Sequence, residues 1–504
     1  MRIVIAALSF ALLLVAGCDN QAGVQKNKTS LLHPCPGFAE TGTPALVYGA
    51  ECGELQVKEN PADGNSREIS LQILRLPAIS PTPRQDPLFL IQGGPGASSI
   101  DMAKLVYGAF ADVRKNRDLV FVDQRGTGKS NALVCEQERD VEQLLPELEQ
   151  SEKALRRAIA CAEKYRQQIP FYTTPYAVQD LDAVRSALGY QTINLWGVSY
   201  GTRVALEYMR RFPQQARVAI LDAVAPVQLA LPNYFQEDAM AALEKVNSDC
   251  QQQEKCKLLY GDIIAKAERV TQRLSVNEKP LVIEFIHPQY QQPSRILLTS
   301  KRFSSLIFMS LYSRDLTVLL PRAITDAERG DYHLLASLSA FAEAQPTFKS
   351  ISEGMRYTVI CNEDAGLDPL ASRTDGKPFL GLDMRRDIAD ICALWPKASL
   401  PEDYYDPIKS AVPTLLLSGY RDPVTPARWA ELVGKNLPNS LQLVAPGGHH
   451  SISMEGCLPA IIAQFVEQGF AVGINHECVK NIASLPMVLG GNEKNASSQG
   501  NVLP

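Results

Sequence analysis

Thr192-Ile193-Asn194-Leu195-Trp196-Gly197-Val198-Ser199-Tyr200-Gly201-Thr202 is an apolar run that meets Gly-x-Ser-x-Gly and then turns helical. Ile193 to Trp196 predict a short buried strand, and Val204, Ala205, Leu206, Tyr208 and Met209 give the next segment one apolar face before Pro213 closes it. Strand, tight turn and helix in that order form a nucleophile elbow. The turn demands small residues at 197 and 201, because the serine backbone is strained and its neighbours pass close by. This geometry lifts the Ser199 hydroxyl clear of the sheet. A bare Gly-x-Ser-x-Gly is a common turn; the strand before it and the helix after it make Ser199 a candidate nucleophile.

Upstream, Pro87-Leu88-Phe89-Leu90-Ile91 is a second buried-strand run and ends in Gln92-Gly93-Gly94-Pro95-Gly96. Glycine-rich backbone at that point can turn an N–H toward a substrate carbonyl, with Gly94 preferred over Gly93. The second donor is the N–H of Tyr200, the residue after the serine. A third run, Leu119 to Val122, leads into Asp123-Gln124-Arg125-Gly126-Thr127-Gly128-Lys129-Ser130. Gly-Lys-Ser resembles the end of a phosphate loop, but the first glycine of that motif would stand at position 123, where there is Asp. Asp123 and Arg125 are expected instead to hold neighbouring loops by charge-assisted bonds. Glu54 to Val57 and Ile69 to Leu76 alternate like hairpin strands around Asn60-Pro61-Ala62-Asp63-Gly64-Asn65, Ala177 to Leu188 is helical, and Val218 to Leu221 is a strand ending at Asp222. Strands alternating with helices imply the α/β class, a mostly parallel sheet with helices on both faces.

From about Val227 the pattern becomes helix-rich, over Asp238 to Val246, Ile263 to Leu274, Phe303 to Tyr312 and Tyr332 to Glu343. Alternation resumes at Pro413-Thr414-Leu415-Leu416-Leu417-Ser418-Gly419. Residues 228 to 405 therefore predict a largely helical cap inserted before the last strands, between core parts 35–227 and 406–485. A cap there would shape a pocket and exclude large substrates. Residues 486–504, with a polar run from Gly490 to Gly500, are expected to form a disordered tail. After the insertion, Leu415 to Ser418 ends in Gly419-Tyr420-Arg421-Asp422-Pro423-Val424-Thr425-Pro426, and strand Leu441 to Val444 is followed by Ala445-Pro446-Gly447-Gly448-His449-His450-Ser451. The chain order Ser199, Asp422, His450 suits a nucleophile, an orienting acid and a base, with Asp222 as the reserve acid.

The chain opens with Met1-Arg2, an apolar run from Ile3 to Ala16, and Val15-Ala16-Gly17-Cys18. That run is too short to span a bilayer and has the length of a secretory signal. Its last four residues look like a bacterial lipobox, which predicts a signal peptide over 1–17, lipid on Cys18 and a polar tether over 18–34. Such an anchor would hold the chain to a membrane from outside the cytoplasm, and Asp19, by analogy with enteric-type lipoproteins, points to the inner membrane. Eleven cysteines less Cys18 leave ten, an even number suited to disulfides in an exported chain. Sequence neighbours give Cys35 with Cys52, Cys135 with Cys161, Cys250 with Cys256, Cys361 with Cys392 and Cys457 with Cys478, although sequence alone does not fix the pairing. No cysteine pair has the clustered Cys/His spacing of a zinc site, and acyl transfer by a serine, a histidine and an aspartate needs neither metal nor organic cofactor. A net charge of −5 over 504 residues disfavours nucleic acid as a partner.

Taken together, Gln92 to Gly96, Asp123 to Gly128, Leu195 to Thr202, Leu221-Asp222, Gly419 to Pro426 and Gly447 to Cys457 resemble the proline iminopeptidase and tripeptidyl aminopeptidase branch of the α/β-hydrolases, over most of residues 35 to 480. Iminopeptidases carry His before Gly-Gly-Pro where this chain has Gln92, which points to the tripeptidyl side. In that side the catalytic histidine precedes a Gly-Cys by a fixed gap. His450, seven residues before Cys457, matches it, with His449 as the alternative. The family also has a Cys-Asn-Glu segment in its inserted region, matched by Cys361-Asn362-Glu363, and an aminopeptidase must hold a protonated amine, so the resemblance makes Glu363 the candidate amine-binding acid. It implies a serine exopeptidase acting on small peptides, removing a single proline or a short piece such as a tripeptide from the N-terminus. An esterase or lipase on the same fold is the first rival, its cap offering an apolar trough without an amine-binding acid. A lipid-anchored binding protein with a decayed site is the second, and three triad members in proper context argue against it.

Overall fold

A computed structural model describes residues 31–35, 49–135, 147–276, 279–344, 351–367 and 377–490. The expected signal peptide, Cys18 and its lipid, most of the tether and the polar chain end lie outside the described residues. β1 (Leu32–Pro34), β2 (Glu51–Lys58) and β3 (Glu68–Leu76) run antiparallel at one edge of the sheet. β4 (Leu88–Ile91), β5 (Leu119–Val122), β6 (Ile193–Val198) and β7 (Ala216–Asp222) follow, then a cap hairpin of β8 (Leu281–Ile286) and β9 (Pro293–Leu298), then β10 (Thr414–Gly419) and β11 (Ser440–Ala445). The sheet is nine-stranded in the order β1-β2-β3-β5-β4-β6-β7-β10-β11 and is parallel from β5 onward.

Every side chain of β4, β5 and β6 is buried, as parallel strands with helices on both faces require. Alternate residues feed opposite cores. Phe89, Ile91, Val120, Leu195 and Leu221 pack on one face with Val178 and Val204 of the flanking helices; Leu90, Phe121, Trp196, Ile220 and Leu417 pack on the other with Phe110, Ile461 and Phe465. Register then aligns the carboxyl ends: Ile91 pairs with Gly197, Gly197 with Leu221, Val198 with Asp222 and Asp222 with Leu417. Chain leaving β4, β6, β7 and β10 therefore emerges along one rim of the sheet, which is where ligands bind in this architecture.

Asp123 and Arg125, just past β5, hold the loops they were expected to hold. The buried Asp123 carboxylate accepts from Ser98 Oγ at 2.7 Å and from the Ile100 and Lys129 N–H groups at 3.1 Å. Arg125 forks onto Asp180 with two bonds of 2.6 Å and donates to the carbonyls of Glu59 at 2.8 Å and Phe171 at 2.9 Å. Both partners of that ion pair are buried, with 0% and 5% of their side chains exposed.

Between β7 and β10 the cap builds its own core from Leu243, Val246, Phe303, Ile307, Ile324 and Leu335, carried by the helices Phe235–Gln252, Ser300–Leu311, Leu320–Glu328 and His333–Ala344. Hairpin β8–β9 adds two strands to the largely helical pattern read for this region. Its alternation in Leu281-Val282-Ile283-Glu284-Phe285-Ile286 is a strand signal. All five disulfides join the cysteine pairs read as sequence neighbours. Residues 486–490 correct the reading of a disordered tail. Met487 is buried in the cap core, Val488 N–H donates to Val318 O at 3.1 Å, and Tyr260 OH donates to Val488 O at 2.8 Å. Among the described residues no helix is long and apolar enough to cross a membrane, and no group of three or more His, Cys, Asp and Glu could hold a metal ion.

Breaking the Arg125–Asp180 pair leaves a buried carboxylate without its cation, a loss of about 3–5 kcal/mol. Arg125→Met should lower the urea midpoint accordingly, and Arg125→Met with Asp180→Leu should recover most of it.

Candidate active site

The nucleophile candidate sits where β6 hands over to the helix Tyr200–Arg211. Ser199 has φ 55° and ψ −127°, a conformation a non-glycine residue holds at a cost of about 1–3 kcal/mol, paid for by surrounding contacts. Its N–H donates to Asp222 O at 2.9 Å, and its carbonyl accepts from Thr202 N–H at 2.9 Å and Thr202 Oγ1 at 2.6 Å. Glycines at the turn allow the squeeze: a Cβ on Gly201 would overlap the Ile91 carbonyl, and one on Gly197 would overlap Gly201.

Gln92–Gly96 lies against this turn, since a Cβ on Gly93 would come within 2.8 Å of Ser199 Cβ and 3.1 Å of Tyr200 N. The Gly93 N–H is already spent on Gln92 Oε1 at 2.8 Å. Gly94, at φ 112°, bonds its N–H to no acceptor among the described residues. Tyr200 opens its helix, where the first N–H groups have no partner within the helix. Two unspent backbone donors thus flank Ser199, a site able to receive negative charge on an oxygen.

Asp422 and His450 meet on the same rim. Asp422 is 1% exposed. Its Oδ1 accepts from the N–H groups of Val424 at 2.9 Å and Thr425 at 2.8 Å; its Oδ2 accepts from Thr425 Oγ1 at 2.6 Å and His450 Nδ1 at 2.9 Å. Burial alone would raise the Asp422 carboxyl, but the His450 and Thr425 contacts hold it below its ordinary value. For His450, burial disfavours the cation while Asp422 favours it, and the net effect is a pKa raised above 6.5. A proton on Nδ1 leaves Nε2 as the acceptor. The Tyr312 ring stands edge-on to the imidazole, centroids 5.0 Å apart.

Asp222, the reserve acid, is not bonded to His450. Its fully buried carboxylate accepts from Ser451 Oγ at 2.8 Å, Ile452 N–H at 3.0 Å, Ser453 N–H at 2.8 Å and Ser453 Oγ at 2.6 Å. Trp196 Nε1 also donates to Ser453 Oγ at 2.9 Å. One residue therefore holds the serine by its carbonyl and the segment after His450 by its side chain.

His449 is buried, and its Nδ1 donates to Leu311 O in the cap at 2.8 Å. Burial lowers its pKa. The structure thus brings His450, and not His449, to Asp422. Glu363 comes from the inserted region. It lies in a π-helical turn, Ile360–Asp364, with none of its side chain exposed. Oε1 accepts from Thr174 N–H at 2.6 Å; Oε2 accepts from Thr174 Oγ1 at 2.8 Å and from Tyr404 OH, with Arg203 Nη1 3.6 Å away. Thr174 Oγ1 is in turn 2.7 Å from Tyr200 OH. Both carboxylate oxygens are engaged beneath the elbow, so the expectation of an acid facing a substrate amine departs from this geometry. Two contributors were missed from sequence. Thr425 was detectable, because a strand-end Asp whose carboxylate accepts from the N–H groups two and three residues on is an Asx turn. Tyr312 carries no such signal, since cap packing alone brings it to His450.

Comparison with known proteins agrees with the fold. The family model described as alpha/beta hydrolase fold matches residues 86–249, and the one described as TAP-like protein matches residues 377–478. Serine protease Hip1 of Mycobacterium tuberculosis is 27% identical over 93% of this chain and 96% of its own length. Tripeptidyl aminopeptidase of Streptomyces lividans is 30% identical over 34% of this chain and 35% of its own. Carboxylesterase B of Mycobacterium tuberculosis is 25% identical over 84% and 85%. With a parallel sheet, an elbow serine and a TAP-like C-terminal part in one chain, this protein is a serine hydrolase of the α/β-hydrolase fold.

Proposed function

We propose that this hydrolase is a peptidase in which Ser199 attacks the peptide carbonyl, His450 takes the Ser199 proton on Nε2 and returns it to the leaving amine, and Asp422 holds the imidazole through Nδ1. The N–H groups of Gly94 and Tyr200 receive the charge that develops on the carbonyl oxygen. The observation that carries the reading is a strained serine at the end of β6 tied through Asp222 to the segment that follows a carboxylate-bound histidine. Peptide substrates are supported by the names of Hip1 and tripeptidyl aminopeptidase, and release from the N-terminus by the latter name. We read the products as single residues or short peptides such as a tripeptide. Five disulfides support an exported chain, and an anchor at Cys18 belongs to the same proposal. The relative named carboxylesterase B favours a second reading, ester hydrolysis on the same residues.

Glu363, on this account, supports the elbow through Thr174 and the Tyr200 hydroxyl in place of binding the substrate amine.

Three measurements test the proposal. Because the base must be neutral and Asp422 raises its pKa, kcat/KM should fall on the acid side with a midpoint above pH 6.5; Asp422→Asn should lower kcat by about 10⁴. A midpoint well below 6.5 would remove His450 as the base. Free-amine peptides should turn over faster than N-acylated ones and small esters, whereas a preference for esters would select the second reading. Glu363→Gln should reduce peptide and ester turnover alike, by roughly ten-fold. A loss confined to free-amine peptides would return the amine contact to Glu363.

A further inference from the structure

Carboxylates around the elbow are committed to partners. Asp422 holds Thr425 and His450, Asp222 holds residues 451–453, Asp123 holds Ser98, Ile100 and Lys129, and Glu363 holds Thr174 and Tyr404. Asp364 accepts from Arg203 Nη2 and from Leu231 N–H, both at 2.8 Å. Arg356, in the same neighbourhood, has no carboxylate partner among the described residues.

Arg356 lies on the helix Glu353–Val359, which is fastened to the Gln92–Gly96 loop at its start. Ser352 N–H donates to Gly96 O at 2.8 Å, and a Cβ on Gly96 would come within 3.4 Å of Arg356 N. The charges of Arg356 and Asp422 both bear on the Tyr312 hydroxyl, and Tyr312 is the ring that packs on His450. Arg356 thus stands on a helix tied to the loop beside Ser199. Its described contact is the face of its neighbour Tyr357, 5.0 Å from the ring centroid. Among the described residues no carboxylate or carbonyl accepts from its side chain, and the side chain is only partly buried. A guanidinium has five donors in a fork that matches a carboxylate, and partial desolvation without an acceptor is unfavourable until a ligand supplies one.

We propose that Arg356 is a substrate-binding residue that takes a carboxylate lying close to the scissile bond. Two sources present this chemistry: an Asp or Glu side chain, or the free C-terminal carboxylate of a short peptide. The inference rests on Ser199 and His450 as the reacting pair, and it does not depend on the bond being a peptide.

The test compares kcat/KM ratios in the parent, Arg356→Gln and Arg356→Lys on three matched pairs. One pair is a short peptide with a free or an amidated C-terminus. The second carries Glu or Gln next to the scissile bond. The third is the p-nitrophenyl monoester of glutarate against p-nitrophenyl butyrate. In the parent, at least one pair should favour the carboxylate by about ten-fold, the scale of one charge-assisted bond. That ratio should collapse toward one in Arg356→Gln and stay intermediate in Arg356→Lys, which keeps the charge without the fork. The peptide pair that responds identifies the source of the carboxylate. A parent without carboxylate preference in any pair, or an Arg356→Gln protein that keeps the preference, overturns the proposal. If esters turn over with the expected ratio and no peptide is cleaved, Arg356 stands and the peptidase reading falls. If peptides are cleaved with flat ratios, the reverse holds. Should Arg356→Gln fail to fold, the parent and Arg356→Lys ratios alone decide.

Discussion

A carboxylate with no exposure to water, Asp222, is the constraint on which the site depends. Burying an ionised acid is costly unless donors surround it, and here the donors come from the segment that begins one residue after His450. Because Asp222 is also the register partner of Val198 and the acceptor for Ser199 N–H, satisfying it fixes two distant stretches of chain relative to each other. The requirement is electrostatic and local, yet it joins positions 199 and 450 across the inserted cap. Trp196 adds a second tie through Ser453, from the strand that carries the serine.

Around that hub the strain at Ser199 is held by geometry that small residues permit. Gly197 and Gly201 let three backbone segments approach more closely than side chains allow, and Gly93 brings the donor loop against the serine. The cap contributes at two points. His449 binds the carbonyl of Leu311, and the next cap residue, Tyr312, lies against His450. The adjacent histidines therefore divide the work, one toward the cap and one toward Asp422, a division that follows from which acceptor each ring meets.

Much of the core was legible because its signals are local. Gly-x-Ser-x-Gly between an apolar run and a helical one marks an elbow, strand-end loops at 419 and 447 follow from alternation, and five cysteine pairs lie near each other in sequence. What escaped reading depends on contacts between distant positions. Glu363 was expected to face a ligand, but Thr174 and Tyr404 reach it from 189 and 41 residues away and close over it. Residues 486–490, Pro-Met-Val-Leu-Gly, were read together with the polar run that follows them, yet Met487 fills a place in the cap core. Arg356 gave no motif at all. Its interest lies in having neighbours but no acceptor among the described residues, which only the folded chain displays.

The central claim is that Ser199 is the nucleophile and His450 its base. Mass-spectrometric mapping of a fluorophosphonate adduct tests it most directly. The account predicts a single phosphonylated serine, Ser199, and labelling slowed by orders of magnitude in His450→Ala but not in a protein altered at an exposed residue far from the rim. An adduct on another serine, or labelling of Ser199 that proceeds unchanged without His450, would contradict it.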